Sequence, residues 1–520
     1  MTSAHRYSLV VAAIVALGGF LMGFDASVIS GVVGFIETEF SLTRIQLGWS
    51  VASLTLTATL AMMVAGPISD RLGRRPVLMA AAVLFAVSAV YSALAPGFAS
   101  LVIARMIGGL GVGAALIIAP MHIAEISPPA KRGRMVSFNQ FNIVLGISVA
   151  FFSNYLILRV GQAGPDWAQS LGLEQWAWRW MLGVEALPAI VYFAALFFVP
   201  ESPRWLVMQG RRDEALEVFS RFGDDATASA NLRAVEKSIG EEAVTTKASV
   251  RELFAPAMRL VLTIGISIAI LQQITGINSV FFYAPMIFEQ SGVGTDAAFM
   301  QAVLVGLVNL VFTVAAMVLI DRIGRRPLLG VGLSGIAVSM FLLAYGFGSA
   351  SYTLDRDDVD ALPAELDRGA LAQLIDVEYG SDVEFRQAVS GAAGEAAFLE
   401  YESQLVSAAV DLNASLILFA ILGFVASFAI SLGPVMWVLF SELFPNTLRG
   451  LAISFAGLIN SGVSFGVQLV FPWELQNLGS SLTFLLYGAF AVVGLVVMLR
   501  ILPETRGRSL EELEEILVRT

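Results

Sequence analysis

The chain has 520 residues, of which 57% are hydrophobic and only 14% are charged. Its mean hydropathy of +0.77 is too high for a soluble domain of this length, so we predict a polytopic membrane protein. The absence of cysteine excludes a disulfide framework or thiolate metal site, and two histidines do not build one. We expect no metal and no cofactor.

The net charge of −11 is concentrated in one segment. Residues 351–411 contain 14 acidic residues and three arginines, which alone gives −11. The rest of the chain is electrically balanced and offers no basic surface for nucleic acid.

A seven-residue stretch occurs twice, as DRLGRRP at residues 70–76 and DRIGRRP at residues 321–327. Each copy follows an apolar run long enough to cross a bilayer, which predicts a charged turn at a membrane surface. Two further pairs of motifs match between the halves, AEISPPAKRG with SELFPNTLRG and PESPR with PETRG. The chain is therefore interpreted as a duplicated membrane protein.

Twelve apolar runs have spanning length. They cover residues 8–33, 45–68, 77–95, 100–123, 136–158, 177–199, 258–288, 298–320, 328–348, 413–440, 451–471 and 481–502. The even-to-odd links between runs are basic and the other links are poor in lysine and arginine. The positive-inside rule then predicts a multi-pass protein of the plasma (inner) membrane with both termini cytoplasmic.

The predicted fold class is an all-α membrane protein whose twelve transmembrane helices form two pseudo-symmetric six-helix bundles. The predicted parts are an N-terminal bundle (1–200), a cytoplasmic helical linker (201–257), a C-terminal bundle (258–503) and a cytoplasmic tail (504–520). An acidic extracytoplasmic insertion at 351–411 separates the ninth and tenth helices. It is expected to be a solvated cap, with partner binding or substrate screening as the alternative.

Two charged residues inside the predicted spans of the first half have no charged equivalent in the second half. Asp25 is in the middle of the first span and Arg105 is near the start of the fourth, and their positions in the second half are Gly276 and Leu422. A charge inside the bilayer costs about 2.5–3.5 kcal/mol, so it requires a reason. An acid and a base on one side suit a proton-coupled carrier, and the alternative is a salt bridge that only fixes two helices.

The other polar residues inside the spans are amides and one tryptophan. They are Gln140, Gln272, Gln273, Asn278, Asn309, Trp437 and Asn460. Amides both donate and accept hydrogen bonds, which matches a neutral polyhydroxylated ligand, although any single amide could instead bond a neighbouring helix. Gly276 and the pair Gly433-Pro434 are expected to interrupt the seventh and tenth helices beside this site.

Charged residues near the cytoplasmic ends of the spans recur in both halves. They are Asp70, Arg74, Glu125, Arg132, Glu201 and Arg204 in the first half, and Asp321, Arg325, Glu442, Arg449 and Glu504 in the second. Acidic groups at helix C-termini need basic partners. We predict a cytoplasmic gate of ion pairs between the bundles, with topology and loop anchoring as the alternative.

These motifs together resemble the sugar porter family of the major facilitator superfamily, which includes bacterial xylose/proton symporters and facilitative glucose transporters. The motifs are GFDASVISG, both DRxGRRP turns, ARMIGGLGVG, PESPRW, QQITGIN and GPVMW. The resemblance implies that the amides and Trp437 contact the sugar and that Asp25 carries the proton. Three residues depart from the family's pattern: Ile147 replaces a glutamine of xylose-type symporters, Phe282 a tyrosine and Ser461 a tryptophan.

The sequence thus predicts a proton-coupled importer of a neutral monosaccharide or cyclic polyol that works by alternating access. Its partners are expected to be the sugar or polyol, protons and membrane lipid, without nucleic acid, and the carrier is expected to be monomeric. A facilitative uniporter and a sugar sensor are the alternatives. An enzyme is not expected, because no nucleophile–base pair or phosphate-binding glycine loop is present.

Overall fold

A computed structural model of the chain describes residues 3–127, 132–222, 225–244, 250–363, 366–445, 448–508 and 512–513. The side chain of Arg132 and most of the tail after residue 508 lie outside the described part. The description is otherwise continuous through the apolar runs.

Within the residues that the structure describes, the prediction of twelve membrane spans is confirmed. The spans are Arg6–Gly31, Arg44–Leu72, Arg74–Ala93, Phe98–Ile126, Met135–Ala163, Ala177–Phe198, Pro256–Phe282, Thr295–Ile323, Arg325–Gly348, Ala414–Leu443, Arg449–Asn477 and Gly479–Ile501. Helices are the natural solution here because every backbone polar group bonds within its own segment. We call the end of the spans next to the acidic insertion the outer end, and the end next to the DRxGRRP turns the inner end.

The helices follow the spans closely, and several spans consist of two or three helices. In the first half the helices are α1 (Ser3–Val28), α2 (Val33–Glu39), α3 (Arg44–Leu72), α4 (Arg74–Ala93), α5 (Phe98–Ile126), α6 (Arg132–Ala163), α7 (Asp166–Ser170), α8 (Ala177–Gly183) and α9 (Ala186–Ala195). The linker contains α10 (Pro203–Met208), α11 (Arg212–Phe222), α12 (Asp225–Val244) and α13 (Val250–Leu253).

The second half repeats this pattern and adds the insertion. Outside the insertion its helices are α14 (Arg259–Ile274), α15 (Ile277–Phe282), α16 (Ala284–Glu289), α17 (Thr295–Ile323), α18 (Arg325–Gly348), α23 (Ala414–Ile430), α24 (Leu432–Leu443), α25 (Arg449–Asn477) and α26 (Gly479–Ile501). The insertion contains β1 (Ser351–Tyr352), α19 (Arg356–Ala361), α20 (Arg368–Leu371), α21 (Asp382–Ala393), α22 (Glu395–Ala409) and β2 (Val410–Asp411). Short 3₁₀ turns lie at Ile29–Gly31, Leu196–Phe198, Pro256–Met258 and Ala372–Leu374.

Two of the spans are interrupted near the positions expected from the sequence. The seventh breaks at Gly276, whose φ of 87° is left-handed and therefore suits glycine. The tenth breaks at Ser431, two residues before Gly433. Each break frees backbone carbonyls and amides for other partners inside the protein.

The chain forms two compact units. Unit 1 consists of Met1–Ala26, Ser53–Ala150 and Arg179–Ser249, and unit 2 consists of Ser27–Ala52, Phe151–Trp178 and Val250–Thr520. The core of unit 1 includes Phe85, Ile118 and Tyr192. Unit 2 packs α18 against α23 and α26, and α14 against α25.

The acidic insertion is a folded body with its own core inside unit 2. Strands β1 and β2 pair antiparallel, with Ser351 opposite Asp411, and Tyr352, Phe385, Phe398 and Leu405 are buried together. The strand pair brings the two ends of the insertion together. The apolar residues spaced along it therefore serve to hold its short helices on one another.

Candidate functional site

Asp25 and Arg105 meet inside unit 1. The Arg105 guanidinium donates to Asp25 Oδ1 and, at 3.0 Å, to the Asp25 backbone carbonyl. The side chain of Asp25 is 1% exposed and that of Arg105 is 2% exposed. Gly108 lies one turn along α5 from Arg105, and a Cβ there would be 2.6 Å from Asp25 Oδ2. Glycine at this position lets the fourth span approach the carboxylate.

A second carboxyl group accompanies this pair, and the sequence analysis missed it. Glu185 precedes α9 in the sixth span, is 2% exposed and interacts electrostatically with both Asp25 and Arg105. Among the described residues, neither Asp25 Oδ2 nor Glu185 Oε1 has a hydrogen-bond partner. The available signal was the single acid inside the apolar run 177–199.

Four of the predicted amides form one hydrogen-bonded cluster in unit 2, where the broken seventh span meets the tenth and eleventh. Gln273 Nε2 donates to Gln272 Oε1 and to Asn460 Oδ1, both at 3.2 Å. Asn460 Nδ2 donates to Gln272 Oε1 at 2.8 Å, and Asn278 Nδ2 donates to Gln273 Oε1 at 2.8 Å. We call Gln272, Gln273, Asn278 and Asn460 the amide cluster.

The remaining donors of the amide cluster are also used within unit 2. Gln272 Nε2 donates to the carbonyls of Leu432 and Gly433 at 3.2 and 3.4 Å, beside the break in the tenth span. Asn460 Nδ2 donates to the Ala269 carbonyl at 2.9 Å. Asn278 Nδ2 donates to Ser464 Oγ at 2.7 Å. All four amide groups thus have both N–H bonds committed, and only oxygen lone pairs remain for a ligand.

The eleventh span adds two polar residues that the sequence analysis did not select. Ser464 accepts a hydrogen bond from Gln468 Nε2 at 2.7 Å as well as the bond from Asn278. The Tyr283 hydroxyl donates to the backbone carbonyl of Gln468 at 3.1 Å. Asn460, Ser464 and Gln468 are four residues apart, which places them on one helix face, and this spacing was a usable signal.

The other three predicted ligand contacts lie outside the amide cluster. Asn309 on α17 is buried, and Trp437 on α24 is 46% exposed and packs edge-on against Phe440. Gln140 on α6 belongs to unit 1 and is exposed. The amide cluster and Trp437 are nevertheless joined through the tenth span, because Gln272 bonds the carbonyls four and five residues before Trp437.

At the inner end of unit 1, the predicted gate residues surround Arg74. Its guanidinium donates to both oxygens of Glu125 at 3.0 and 3.1 Å and to Asp70 at 2.9 Å. Glu201 accepts from the Arg74 backbone amide at 2.9 Å. Burial raises the pKa of Glu201, and the backbone amides of Ser202, Arg75 and Arg74 oppose that rise. Arg204 is half-buried and also interacts with a partner.

Unit 2 contains a corresponding cluster around Arg325. The Arg325 guanidinium pairs with Glu442 at 2.7 Å and Asp321 at 3.2 Å, and Glu504 accepts from the Arg325 backbone amide at 3.1 Å. Arg449 donates to the carbonyl of Phe444 instead. Each cluster described is internal to one unit, and a gate between the bundles stays a prediction.

Twelve spans that enclose a buried ion pair and a polar cluster define a multi-pass membrane transporter. The chain belongs to the family "Sugar (and other) transporter", whose model matches residues 11–356 and 389–517. The resemblance to sugar porters is thereby confirmed. As a member of a transporter family, the chain is not an enzyme.

Two curated relatives extend over almost the whole chain. The chain is 32% identical to the arabinose-proton symporter of Bacillus subtilis, covering 100% of this chain and 97% of that protein. It is 33% identical to the D-xylose-proton symporter of Escherichia coli, covering 99% and 96%.

Solved structures of the xylose transporter of Escherichia coli have the same fold. An inward open conformation matches with a TM-score of 0.73 and 31% identity over 97% of this chain and 99% of that chain. A complex with 6-bromo-6-deoxy-D-glucose matches with a TM-score of 0.68 and 31% identity over 99% of both chains. The fold is therefore that of the major facilitator superfamily, with twelve helices in two pseudo-symmetric bundles.

Proposed function

We propose that the chain is a proton-coupled importer of a neutral monosaccharide or cyclic polyol that works by alternating access. The observation that carries the proposal is the Asp25–Arg105 ion pair, buried among spans together with Glu185. The alternative, an ion pair that only stabilises the fold, is a weak explanation. Proteins in which apolar residues replace a buried ion pair are usually no less stable.

The charges of these three residues supply a physical reason for proton uptake. Two carboxylates and one guanidinium carry one net negative charge when all are ionised. A net charge is costly inside the bilayer, and one bound proton removes it. In the proposed cycle, Asp25 accepts the proton from the outer side before sugar loading, and release to the inner side restores its ion pair with Arg105.

The amide cluster is the proposed sugar site, together with Asn309, Trp437 and Gln140. Uncharged groups suit a neutral ligand, and Trp437 adds an exposed aromatic face for the apolar side of a sugar ring. The relatives named for arabinose and xylose support a pentose among the candidates. The choice between sugars therefore requires a panel of pentoses, hexoses and inositols.

The proposal includes orientation and gating. We place both termini and residues 201–257 in the cytoplasm of a monomeric carrier in the plasma (inner) membrane, on the basis of the basic inner links. The clusters around Arg74 and Arg325 are proposed to form the cytoplasmic gate. Their support is that both clusters fix the backbone of a DRxGRRP turn.

The test is sugar uptake into proteoliposomes under an imposed pH gradient. Asp25→Asn is expected to abolish uphill accumulation and to retain exchange of labelled for unlabelled sugar. Asp213→Asn, on the exposed surface of α11, is the matched control and is expected to accumulate sugar normally. pH-driven accumulation by the Asp25→Asn variant would defeat the coupling proposal.

The same preparation separates the alternatives. A symporter alkalinises the medium when sugar is added without a gradient, whereas a uniporter equilibrates sugar with no pH change. A sensor binds sugar and moves none.

A further inference from the structure

The insertion at residues 351–411, which we call the cap, is only partly matched by the family's model. Residues 357–388 lie outside the match to the family's model, yet they contribute Leu371, Leu374 and Phe385 to the buried core of the cap. A segment with its own core is a structural element and not merely a long solvated loop.

The cap is attached to the outer ends of the C-terminal spans. Ser480, near the start of α26, donates to Asp382 Oδ2 through both its amide and its hydroxyl at 2.9 Å. The Ser407 hydroxyl donates to the Gly292 carbonyl at 2.8 Å. These bonds fix the cap to the half of the sequence from which it extends.

Ion pairs join the cap to the outer ends of the first two spans as well. Glu402 of α22 accepts from Arg386 of α21 at 2.5 Å and from Arg44 at 3.1 Å. Arg44 begins the second span and pairs at 2.8 Å with Glu37, which follows the first span. We call Arg386, Glu402, Arg44 and Glu37 the latch. All four belong to unit 2.

The latch is largely removed from water, so its charges interact strongly. The side chains of Glu37 and Arg44 are 6% exposed, and those of Arg386 and Glu402 are 13% and 18% exposed. The Arg386 guanidinium also lies 4.9 Å from the centre of the Phe398 ring. Separating Glu402 from Arg44 would leave each with a missing partner, and this favours a docked cap.

A cavity of about 240 Å³ lies beneath the docked cap. Its walls are α2, α16, the start of α17 and α22, and they include Thr38, Glu289 and Glu400. A cap that moved away from α2 would widen the opening of this cavity to the outside. The cap therefore forms one wall of a partly open space at the outer end of the spans.

We propose that the cap is an outer lid, and that the Arg44–Glu402 pair of its latch must separate each time the outer end of the carrier opens. This inference rests on alternating access, in which the two sequence halves move apart at one end. Arg44 belongs to the first half and Glu402 to the second, and opening that end draws them apart. The lid would thereby control how long the outer end stays closed.

The first test measures access beneath the lid without any transport. The chain has no native cysteine, so Thr38→Cys provides a single reporter on the cavity wall for a membrane-impermeant thiol reagent. Adding Glu402→Gln removes the charge of the latch and is expected to raise the labelling rate at least threefold. Glu378→Gln removes an exposed charge elsewhere on the cap and is the matched control, expected to leave the rate unchanged. Equal rates in all three proteins would overturn the proposal.

A second test locks the lid closed instead of loosening it. In Arg44→Cys/Glu402→Cys, a short bifunctional disulfide-forming reagent is expected to reduce sugar exchange at least tenfold, and a reductant is expected to restore it. The monofunctional reagent controls for modification alone. Complete cross-linking with undiminished exchange would refute the lid. Because exchange requires no proton gradient, neither test depends on the coupling role of Asp25, and failure of the two proposals is distinguishable.

Discussion

The ring of Tyr487 packs against Gly276 at the break of the seventh span. A Cβ on Gly276 would lie 2.3 Å from Tyr487 Cδ2. The ring has little freedom to withdraw, because its hydroxyl donates to Glu474 at 2.7 Å and it stacks on Phe471. The twelfth span thus fixes the break that precedes Asn278.

Gly276→Ala should consequently damage the amide cluster. The left-handed backbone costs alanine about 1–2 kcal/mol, and the new methyl group must also displace Tyr487. We expect sugar affinity to fall at least about tenfold, measured by calorimetry on purified protein. Gly457→Ala, at a helical position with open space around it, should bind normally. Unchanged affinity in Gly276→Ala would show that the break tolerates a side chain.

Loss of Gln272 should weaken binding, because Gln273 and Asn460 would each lose one of their hydrogen-bond acceptors. Gln272→Ala removes the oxygen that accepts from Gln273 and Asn460, and an unmet buried hydrogen bond costs about 1–3 kcal/mol, or about 5- to 150-fold in Kd. Direct titration with labelled sugar measures this change.

Trp437→Ala should also weaken binding, by about tenfold, because it removes the exposed aromatic face beside the site. Trp473→Ala, a similarly exposed tryptophan on the eleventh span, is the control. If neither Trp437→Ala nor Gln272→Ala alters Kd, the sugar binds elsewhere.

Glu185→Gln should move the pH dependence of uptake. Removing one of two carboxylates around Arg105 lowers the negative charge of the group, so a proton binds less tightly. Half-maximal uptake is expected about one pH unit lower on the external side. Uptake initial rates across external pH measure the shift, with Glu217→Gln on exposed α11 as the control. A profile identical to that of the parent would remove Glu185 from the proton site.

The lid should dock more firmly in acid. Burial raises the pKa of Glu37 to about 7, with Arg44 and Arg386 opposing and Glu402 reinforcing the rise. Burial also raises the pKa of Glu289 to about 7, with Thr295 opposing and Glu402 reinforcing it. Both groups hold protons more tightly when the cap is docked than at their ordinary value of 4.5. Docking therefore weakens as pH rises from 4.5 through 7.

The other charged residues around the latch determine how acidic the solution must be before docking of the cap weakens again. Burial favours a higher pKa for Glu402, but Arg386 and Arg44 outweigh it and hold that pKa below the usual value. Its contribution is lost only in stronger acid. Two further titratable groups are close to the latch: Glu395 acts on Arg44, and Glu37 acts on Tyr283. Glu400 lines the same cavity.

The measurement compares Thr38→Cys labelling with and without the added changes Glu37→Gln and Glu289→Gln. Thiolate formation accelerates labelling as the pH rises, so the informative quantity is the ratio of the two rates, divided by the same ratio measured on the denatured proteins. The ratio of the parent rate to the variant rate is expected to be near one at about pH 5.5 and to rise severalfold by about pH 8. A flat ratio would show that these carboxyls do not control docking.

The sequence predicted the spans well because hydropathy over some twenty residues is a local property. The seventh span shows the limit, since we predicted it to residue 288 but it ends at Phe282 and α16 follows a further break at Tyr283. Gly276 was identifiable because a glycine beside polar residues inside an apolar run is unusual. No comparable sequence pattern indicated that the tenth span breaks at Ser431.

Contacts between residues that are far apart in the sequence were harder to predict. Arg44 and Glu402 are 358 positions apart, and neither has a local pattern that points to the other. Asp25 and Arg105 were paired correctly because charges are rare inside spans. Charges at the surface are common, so the same argument could not select Glu37 or Arg386.

The hydrogen bonds within the amide cluster also determine that a ligand must act as the hydrogen-bond donor to it. With the nitrogens of Gln273 and Asn278 committed to their neighbours, an incoming hydroxyl must supply the hydrogen of any new bond to the oxygens. Fluorine or a methyl ether in place of that hydroxyl has no hydrogen to give. Deoxyfluoro and methylated sugars would therefore identify which hydroxyl of the substrate points toward the seventh span.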